Sequence, residues 1–486
     1  MSSGQVRARF VTNHDDYRIS DAPFAIPAKL GRRGLSEVIN HLLGNESEGT
    51  QKPFDFSIQD ILVRSPLSVF LAQQQMSAEA VIEIEYMPAM ALSDEKDTID
   101  TPAWVGCMHY HEHESSKSLV AGCYDGGIEI INVETRATAA KHQCHADPIR
   151  DIFRWSVNGN STSASTSISS ILATGSKDQT VRLWAMGADA QAKDTGKKGK
   201  GKREAASSSG NSGSALTALA VCKGHIQSVE SLTLLESNGT KVLLSGDWAG
   251  NIMGWNVQRA GDDDFQGSSA GGMDVEEEED SSNKKRKTSK GSSASGKGAA
   301  STSPVKTLSS IFTFKAHSQS ISAMHTLAGT ATTFTCSWDH SIKQWDMERQ
   351  DVVSVFTCGS KISTSLHANA KSGLVATSHS DGKVRLWDTR AGNSADSSAS
   401  TCQSITNSTR AGVPQWVSDV QWHPTQTTAF ACTDYGGVVR VWDIRSTKVP
   451  LSERETHDGK ALCAQWADAA VFTGGSDCAV HATNFH

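Results

Sequence analysis

Leu172–Trp184 reads LATGSKDQTVRLW, and two later stretches are nearly interchangeable with it: FTCSWDHSIKQWD at Phe334–Asp346 and LVATSHSDGKVRLWD at Leu374–Asp388. Each runs from small residues to an acid (Asp178, Asp339, Asp381) and then through alternating apolar residues to Trp184, Trp345 or Trp387. Alternation on both sides of a short polar turn is the pattern of a β-hairpin. Four looser copies surround these three. LVAGCYDGGIEIINV (Leu119–Val133) and VFTGGSDCAVHATN (Val471–Asn484) keep the acid as Asp125 and Asp477 but carry Ile131 and Thr483 at the Trp position. LLSGDWAGNIMGW (Leu243–Trp255) and FACTDYGGVVRVWD (Phe430–Asp443) keep Trp255 and Trp442, with Ala249 and Gly436 where the acid is due and Asp247 and Asp434 two residues early. Weak polar networks are expected in those two units.

Seven copies, spaced from about the propeller norm of ~40 residues to roughly twice that, predict a mainly β chain built as a seven-bladed propeller with four strands per blade. Some twenty residues or more upstream of most copies stands a second signal, seen as CHADPIRDI, GHIQSVESL, AHSQSISAM and THDGKALCA, which resembles the Gly-His start of a WD repeat. On that resemblance His145, Ser176, Asp178 and Trp184 match the structural tetrad of blade two, and His317, Ser337, Asp339 and Trp345 that of blade four. A Ser/His/Asp set invites a hydrolase reading, but a hydrolase needs one activated nucleophile, and here the same types recur at the same spacing in several blades. The last copy leaves no room for a fourth strand, while radial closure requires one. Met87 to Leu92, just before blade one, is the expected donor.

Residues 1–86 carry no such repeat. VRARFVT reads as a strand, APFAIPAKL as extended chain, and GLSEVINHLLG as a helix with apolar residues at helical spacing and Gly44 as a stop. FDFSIQDILV is hairpin-like and AVIEIEY alternates cleanly. Two strands, a helix and further strands suggest a small α+β ubiquitin-like roll, followed by the propeller over residues 87–486.

Composition fits a globular core diluted by local polar segments: hydrophobic residues are 37% and charged residues 20% of 486, with net charge −7. No apolar run approaches the ~18 residues of a membrane span, and the start lacks a secretory apolar core, so an intracellular protein is expected. Ten cysteines without a CxxC pair indicate neither a zinc site nor a disulfide framework; no intrinsic metal and no cofactor are expected. Four low-complexity stretches, 158–170, 187–213, 261–303 and 392–408, hold too little apolar material to repay ordering and are expected as loop insertions. Lys284, Lys285, Arg286 and Lys287, and the run Lys197 to Arg203, fit nuclear import signals; a solvated charged loop with weak RNA affinity is the plainer reading. The Walker-like match from Gly196 to Lys202 fails because Arg203 replaces Ser/Thr and no strand or helix frames it. His109, His111 and His113 share one strand face and could hold a metal, although exposed strand-end histidines are the expectation.

The stretches QVRARFVT, GLSEVINHLLG, PFDF and MSAEAVIEIEY, placed ahead of a WD propeller, closely resemble the ribosome-biogenesis WD-repeat protein family, whose head is an NLE-type ubiquitin-like domain. The WD motifs alone are generic, so the head makes the match specific. The resemblance implies a non-catalytic assembly factor for the large (60S) ribosomal subunit and pre-rRNA maturation, found in nucleus, nucleolus and nucleoplasm. It implies a complex with a block-of-proliferation-type WD protein and pescadillo on the pre-60S particle, from which the midasin AAA ATPase removes it. By position Glu79 looks like the carboxylate that the family offers to midasin's adhesion site, where a Mg²⁺ with an open position accepts an oxygen ligand; Glu83 and Glu85 belong to the strand itself. The competing reading is a WD-repeat substrate adaptor of a ubiquitin ligase, against which the head runs on into YMPAM with no Gly-Gly end.

Overall fold

In the computed structural model the first strand shows why the head folds: along β1 (Gln5–Val11), Val6, Ala8 and Phe10 are buried while Gln5, Arg7 and Arg9 face solvent. The structure describes residues 4–12, 14–45, 51–59, 61–76, 80–89, 97–113, 116–157, 168–187, 216–237, 239–258, 305–390, 403–407 and 414–485. β1 pairs antiparallel with β2 (Phe24–Pro27) and parallel with β5 (Ile82–Pro88), which also pairs with β3 (Phe54–Ile58); β4 (Ile61–Leu62) completes the sheet. The order β2-β1-β5-β3-β4 is that of the expected ubiquitin-like roll. Helix α1 (Arg32–Leu42) lays Leu35 and Ile39 onto the sheet, and Ser36 fixes its angle by accepting the Phe54 N–H (3.0 Å).

The head extends past residue 86. β5 runs to Pro88, Met87 pairs with Asp55, and the buried Ala89 donates its N–H to the Pro53 carbonyl (2.8 Å). Met87 therefore does not belong to the propeller, and the strand that closes blade seven is Asp97–Asp100, with Ile99 opposite Val480.

The propeller comprises six four-stranded sheets and one of five strands. Its inner strands, blades one to seven, are Val105–His113, Ile149–Ser156, Val229–Ser237, Ile321–Thr326, Ser363–Asn369, Val417–Trp422 and Ala461–Ala467. Apolar clusters join neighbouring blades, such as Val105 and Leu119 of blade one with Cys463 and Phe472 of blade seven. Five joints carry a further staple, in which an inner-strand side chain accepts a backbone N–H from the next blade. Asp151 takes Leu232 N–H (2.6 Å), Thr233 takes Thr326 (3.1 Å), His325 takes Ala368 (2.8 Å), His367 takes Trp422 (2.8 Å) and Asp419 takes Ala464 (2.9 Å). Because Nδ1 is the acceptor in both histidines, each ring must be neutral there. Burial accordingly pushes His325 down to about 4 and His367 well below the usual imidazole range.

Three expected insertions are shorter than their composition suggested. Ile168–Ser170 begin the second strand of blade two, Gly187 ends its third, and Gln403–Thr406 form the outer strand of blade five with Ile405 fully buried. Asn407 follows that strand, and the remainder of the four stretches, including Lys284 to Lys287 and Lys197 to Arg203, lies outside the described residues. The segment Lys306–Leu308 adds a fifth, parallel strand to the edge of blade two. Eight of the nine described cysteines are buried, six of them within strands and Cys144 and Cys358 just past a strand end.

Head and propeller meet at blade six. Arg445, held by Asp443 (2.8 and 2.9 Å), donates to Glu85 (3.4 Å) and to the Met87 sulfur (3.1 Å).

Candidate functional site

In blade two the Trp184 indole N–H donates to Thr174 Oγ1 (3.0 Å), Thr174 meets His145 Nε2 (2.7 Å), and His145 Nδ1 meets Asp178 (2.8 Å). The hydroxyl in this chain is Thr174, not Ser176. Ser176 instead ties the turn, donating to the carbonyls of Asp147 (3.1 Å) and Pro148 (3.0 Å) and accepting the Asp178 N–H (3.1 Å). Blade four repeats the correction: Trp345 (2.9 Å) and His317 (2.7 Å) converge on Thr335, while Ser337 accepts the Asp339 N–H (3.1 Å). Spacing alone could not separate two hydroxyls two residues apart on the same strand face.

Blade three is not weak. Asp247, two residues early, reaches His225 (3.0 Å) from the strand end, and Ser245 joins His225 (2.6 Å) to Trp255 (2.8 Å). Blade six substitutes other parts: Asn407 accepts from Trp442 (3.1 Å), and Asp434 is closed by a buried pair with Arg440. In blade five His379 reaches back to Thr377 (2.8 Å), to which Trp387 also donates (2.8 Å). Every such hydroxyl is spent between a buried ring and its neighbours, so these sets hold sheets together and offer no nucleophile to solvent.

The same turns create a surface. In all seven blades the residue after the second strand donates its N–H to the residue before the inner strand. The pairs are Tyr124 to Trp104 (2.9 Å), Lys177 to Pro148 (3.0 Å), Trp248 to Ser228 (2.9 Å), Trp338 to Ser320 (3.0 Å), Ser380 to Ile362 (3.1 Å), Tyr435 to Trp416 (2.9 Å) and Ser476 to Lys460 (2.9 Å). These bonds gather fourteen positions around one mouth of the ring, and six of them are Trp or Tyr. Trp104 lies against Tyr124 (5.7 Å between ring centres), Trp248 against Trp338 (4.9 Å), and Trp416 stacks on Tyr435 (5.8 Å, 13° between planes). Trp104, Trp248 and Trp416 remain 48%, 43% and 38% exposed. Arg150 bonds both the Tyr124 hydroxyl and Glu230 (2.8 Å each), and Lys460 sits 4.7 Å over the Tyr435 ring. Five of the six rings line a cavity of about 370 Å³ that continues into the channel past Asp151, His325, His367 and Asp419. Exposed aromatics clustered beside paired charges are the composition of a protein-docking centre. The clue was in the sequence: CYDG, DWAG, SWDH and TDYG put an aromatic at one repeat position that a solvent-facing turn does not need.

The histidine run differs from its expectation. His109 faces the channel against Phe153 (4.9 Å), and burial lowers its pKa to about 4; His111 meets Ser156 (3.1 Å). Neither is an exposed strand-end group. In the head, Glu79 lies outside the described residues. Glu83 makes a long surface pair with Arg9 (3.9 Å), and Glu85 accepts from Ser57 (2.8 Å) and Arg445 (3.4 Å), so Glu85 belongs to the seam with the propeller. Among the described residues no helix is long and apolar enough to cross a membrane.

Residues 6–71 match the family described as NLE (NUC135) domain, residues 138–185 the WD domain, G-beta repeat, and residues 319–465 the Nucleolar protein 10-like, N-terminal domain. Over 481 residues the chain is 30% identical to a ribosome biogenesis protein WDR12 homolog of Oryza sativa subsp. japonica, spanning 98% of this chain and 95% of that protein. It is 28% identical over 478 residues to the protein of the same description from Nematostella vectensis, spanning 97% of each. It is likewise 28% identical over 492 residues to that of Chlamydomonas reinhardtii, spanning 98% and 96%.

Proposed function

This chain belongs to the WDR12 family of ribosome biogenesis proteins, and on that premise we propose that it is a non-catalytic scaffold of large-subunit (60S) assembly that binds its partners through the aromatic mouth of the propeller. The observation that carries the reading is the ring of Trp104, Tyr124, Trp248, Trp338, Trp416 and Tyr435, aromatic where the repeat leaves the residue type free, with Trp104, Trp248 and Trp416 exposed and the other three half-buried against them. The partners proposed are a block-of-proliferation-type WD protein and pescadillo, on the pre-60S particle, in nucleolus and nucleoplasm. The basic runs supply nuclear import and a weak, salt-sensitive contact with RNA.

Removal from the particle falls to the head. Glu79 precedes β5, and its carboxylate is proposed to complete the Mg²⁺ shell of the midasin adhesion site. Mg²⁺ belongs to the partner's site and demands near-ideal octahedral oxygen geometry, so carboxylate reach matters and aspartate should not replace glutamate. The seam at Arg445, Glu85 and Met87 gives a pull on the head a route into blade six.

The test is capture of the full chain by the midasin adhesion domain in Mg²⁺ and in EDTA, for wild type, Glu79→Ala and Glu79→Asp. Metal-dependent capture lost in both variants is the expected result. Capture indifferent to EDTA and to Glu79 contradicts this release mechanism.

A further inference from the structure

Blade seven departs from the tetrad in a way that changes its chemistry. In blades two, three and four an indole N–H donates to the Ser or Thr hydroxyl. One hydroxyl lone pair is thereby occupied, and when the hydroxyl donates to His Nε2 the ring proton sits on Nδ1, facing Asp. Blade seven retains His457, Thr473 (2.9 Å from Nε2) and Asp477 (2.9 and 3.0 Å from Nδ1), but Thr483 stands where the Trp would be. With no indole bonded to it, Thr473 can offer either lone pair to Nε2–H, and in that tautomer the Nδ1 lone pair faces Asp477.

A second imidazole faces the same carboxylate. The third-strand position held by Arg182, Lys343, Arg385 and Arg440 in blades two, four, five and six is His481 in blade seven. Its Nε2 lies 3.5 Å from Asp477 Oδ2, and its Nδ1 lies 3.0 Å from the Thr98 hydroxyl on the closing strand. Each ring therefore presents one nitrogen to Asp477 and has a threonine hydroxyl on the other, the arrangement by which an outer partner fixes the tautomer of a metal-binding histidine. One nitrogen from each ring and a carboxylate oxygen lie within 4.8 Å of one another, and among the described residues no other His, Cys, Asp or Glu trio does so. Gly475 keeps the set unobstructed: a Cβ there would stand 2.3 Å from His457 Nδ1 and 2.7 Å from Asp477 Oδ1. Ser176 and Ser337 occupy the matching position in blades two and four.

We propose that His457 Nδ1, Asp477 and His481 Nε2 form a binding site for a first-row divalent transition ion, zinc foremost, with its fourth position open to water. Two imidazoles and one carboxylate suit zinc, which favours tetrahedral nitrogen and oxygen ligands at about 2.0–2.2 Å, against the all-oxygen shells of Mg²⁺ and Ca²⁺. The ion would tie the third strand of blade seven, and through the His481–Thr98 bond the strand arriving from the head, at the point where the ring closes.

The test is titration of the full chain with ZnCl₂ against a chromophoric chelator, with thermal unfolding followed in zinc and in EDTA. Variants are His481→Arg, which restores the cation of the other blades and so preserves folding, and Thr98→Val, which removes an outer partner only. The expected result is one equivalent more zinc in wild type than in His481→Arg, and affinity weakened about 10- to 100-fold in Thr98→Val. A zinc-dependent rise in Tm should be present in wild type and absent in His481→Arg. Equal stoichiometry in wild type and His481→Arg, or no zinc bound by wild type, overturns the site.

Discussion

Replacing Thr335 by valine keeps the volume of the blade-four core and removes one hydroxyl. Trp345 and His317 are 4% and 2% exposed, so the indole N–H at 2.9 Å and the imidazole nitrogen at 2.7 Å lose their partner with no water to replace it. Each orphaned buried group costs about 1–3 kcal/mol, so Thr335→Val should destabilise by about 2–6 kcal/mol. Ser337→Ala removes the turn bond to Asp339 N–H (3.1 Å) and a long one to the Gln319 carbonyl (3.3 Å). That loss should cost about 1 kcal/mol. In a Trp345→Phe background the indole donor is already gone, so Thr335→Val should cost about 1–2 kcal/mol less than in wild type. Urea unfolding read by circular dichroism, with hydrogen exchange to localise the loss to Thr332–Asp346, measures all four variants. Ser337→Ala costing as much as Thr335→Val, or Thr335→Val costing the same with and without Trp345, would refute the assignment of Thr335 as the shared hydroxyl.

Arg445→Ala should leave both domains folded but release the head, seen as faster amide exchange in Ile82–Pro88 and broader small-angle scattering; unchanged exchange would contradict the seam. Ile99 is the one apolar residue of the strand that closes blade seven, and Ile99→Ala should cost about 2 kcal/mol and speed exchange in Ala479–Ala482. Met87→Ala should leave that exchange unchanged. Stability should fall as pH drops from about 6.5 to 4. Burial depresses His109, His325 and His423 to about 4 and His379 to about 3, so in that window the unfolded chain binds more protons. Asp151, which burial raises to about 7 against the bonds from Leu232 and Ile152, and Asp419, which burial also raises, act in the opposite sense but are outnumbered. A urea midpoint higher at pH 5 than at pH 7 would contradict this balance.

The ring was legible because hairpin alternation around a polar turn recurs seven times, five of them ending in Trp, and the head because β1 and β5 alternate and α1 has helical spacing. The misplaced elements share one physical cause. Outer propeller strands expose one face and bury little on the other: Asp97–Asp100 offers only Ile99, and Gln403–Thr406 only Ile405. Such strands lack the periodicity that marks inner ones, so a Ser-rich stretch hid one and the more apolar Met87–Leu92 attracted the other. The tetrad errors arose from facing, since Thr174 and Ser176 are both fully buried and only the register Leu172↔Trp184 brings Thr174 under the indole. Asp247 departs from the repeat spacing, yet from the strand end it meets His225 at 3.0 Å and fills the same role.

The most direct measurement is sedimentation of the tagged protein through a sucrose gradient, with wild type compared to Trp248→Ala/Trp338→Ala/Trp416→Ala. Wild type should co-sediment with large-subunit precursor particles and retrieve their precursor rRNA, while the triple variant, unchanged in thermal unfolding, should shift to the free fraction, as truncation of aromatic anchors worth about 2 kcal/mol or more each requires. Wild type found only in the free fraction, or a triple variant still riding the particle, would contradict a scaffold that docks through the aromatic mouth of its propeller.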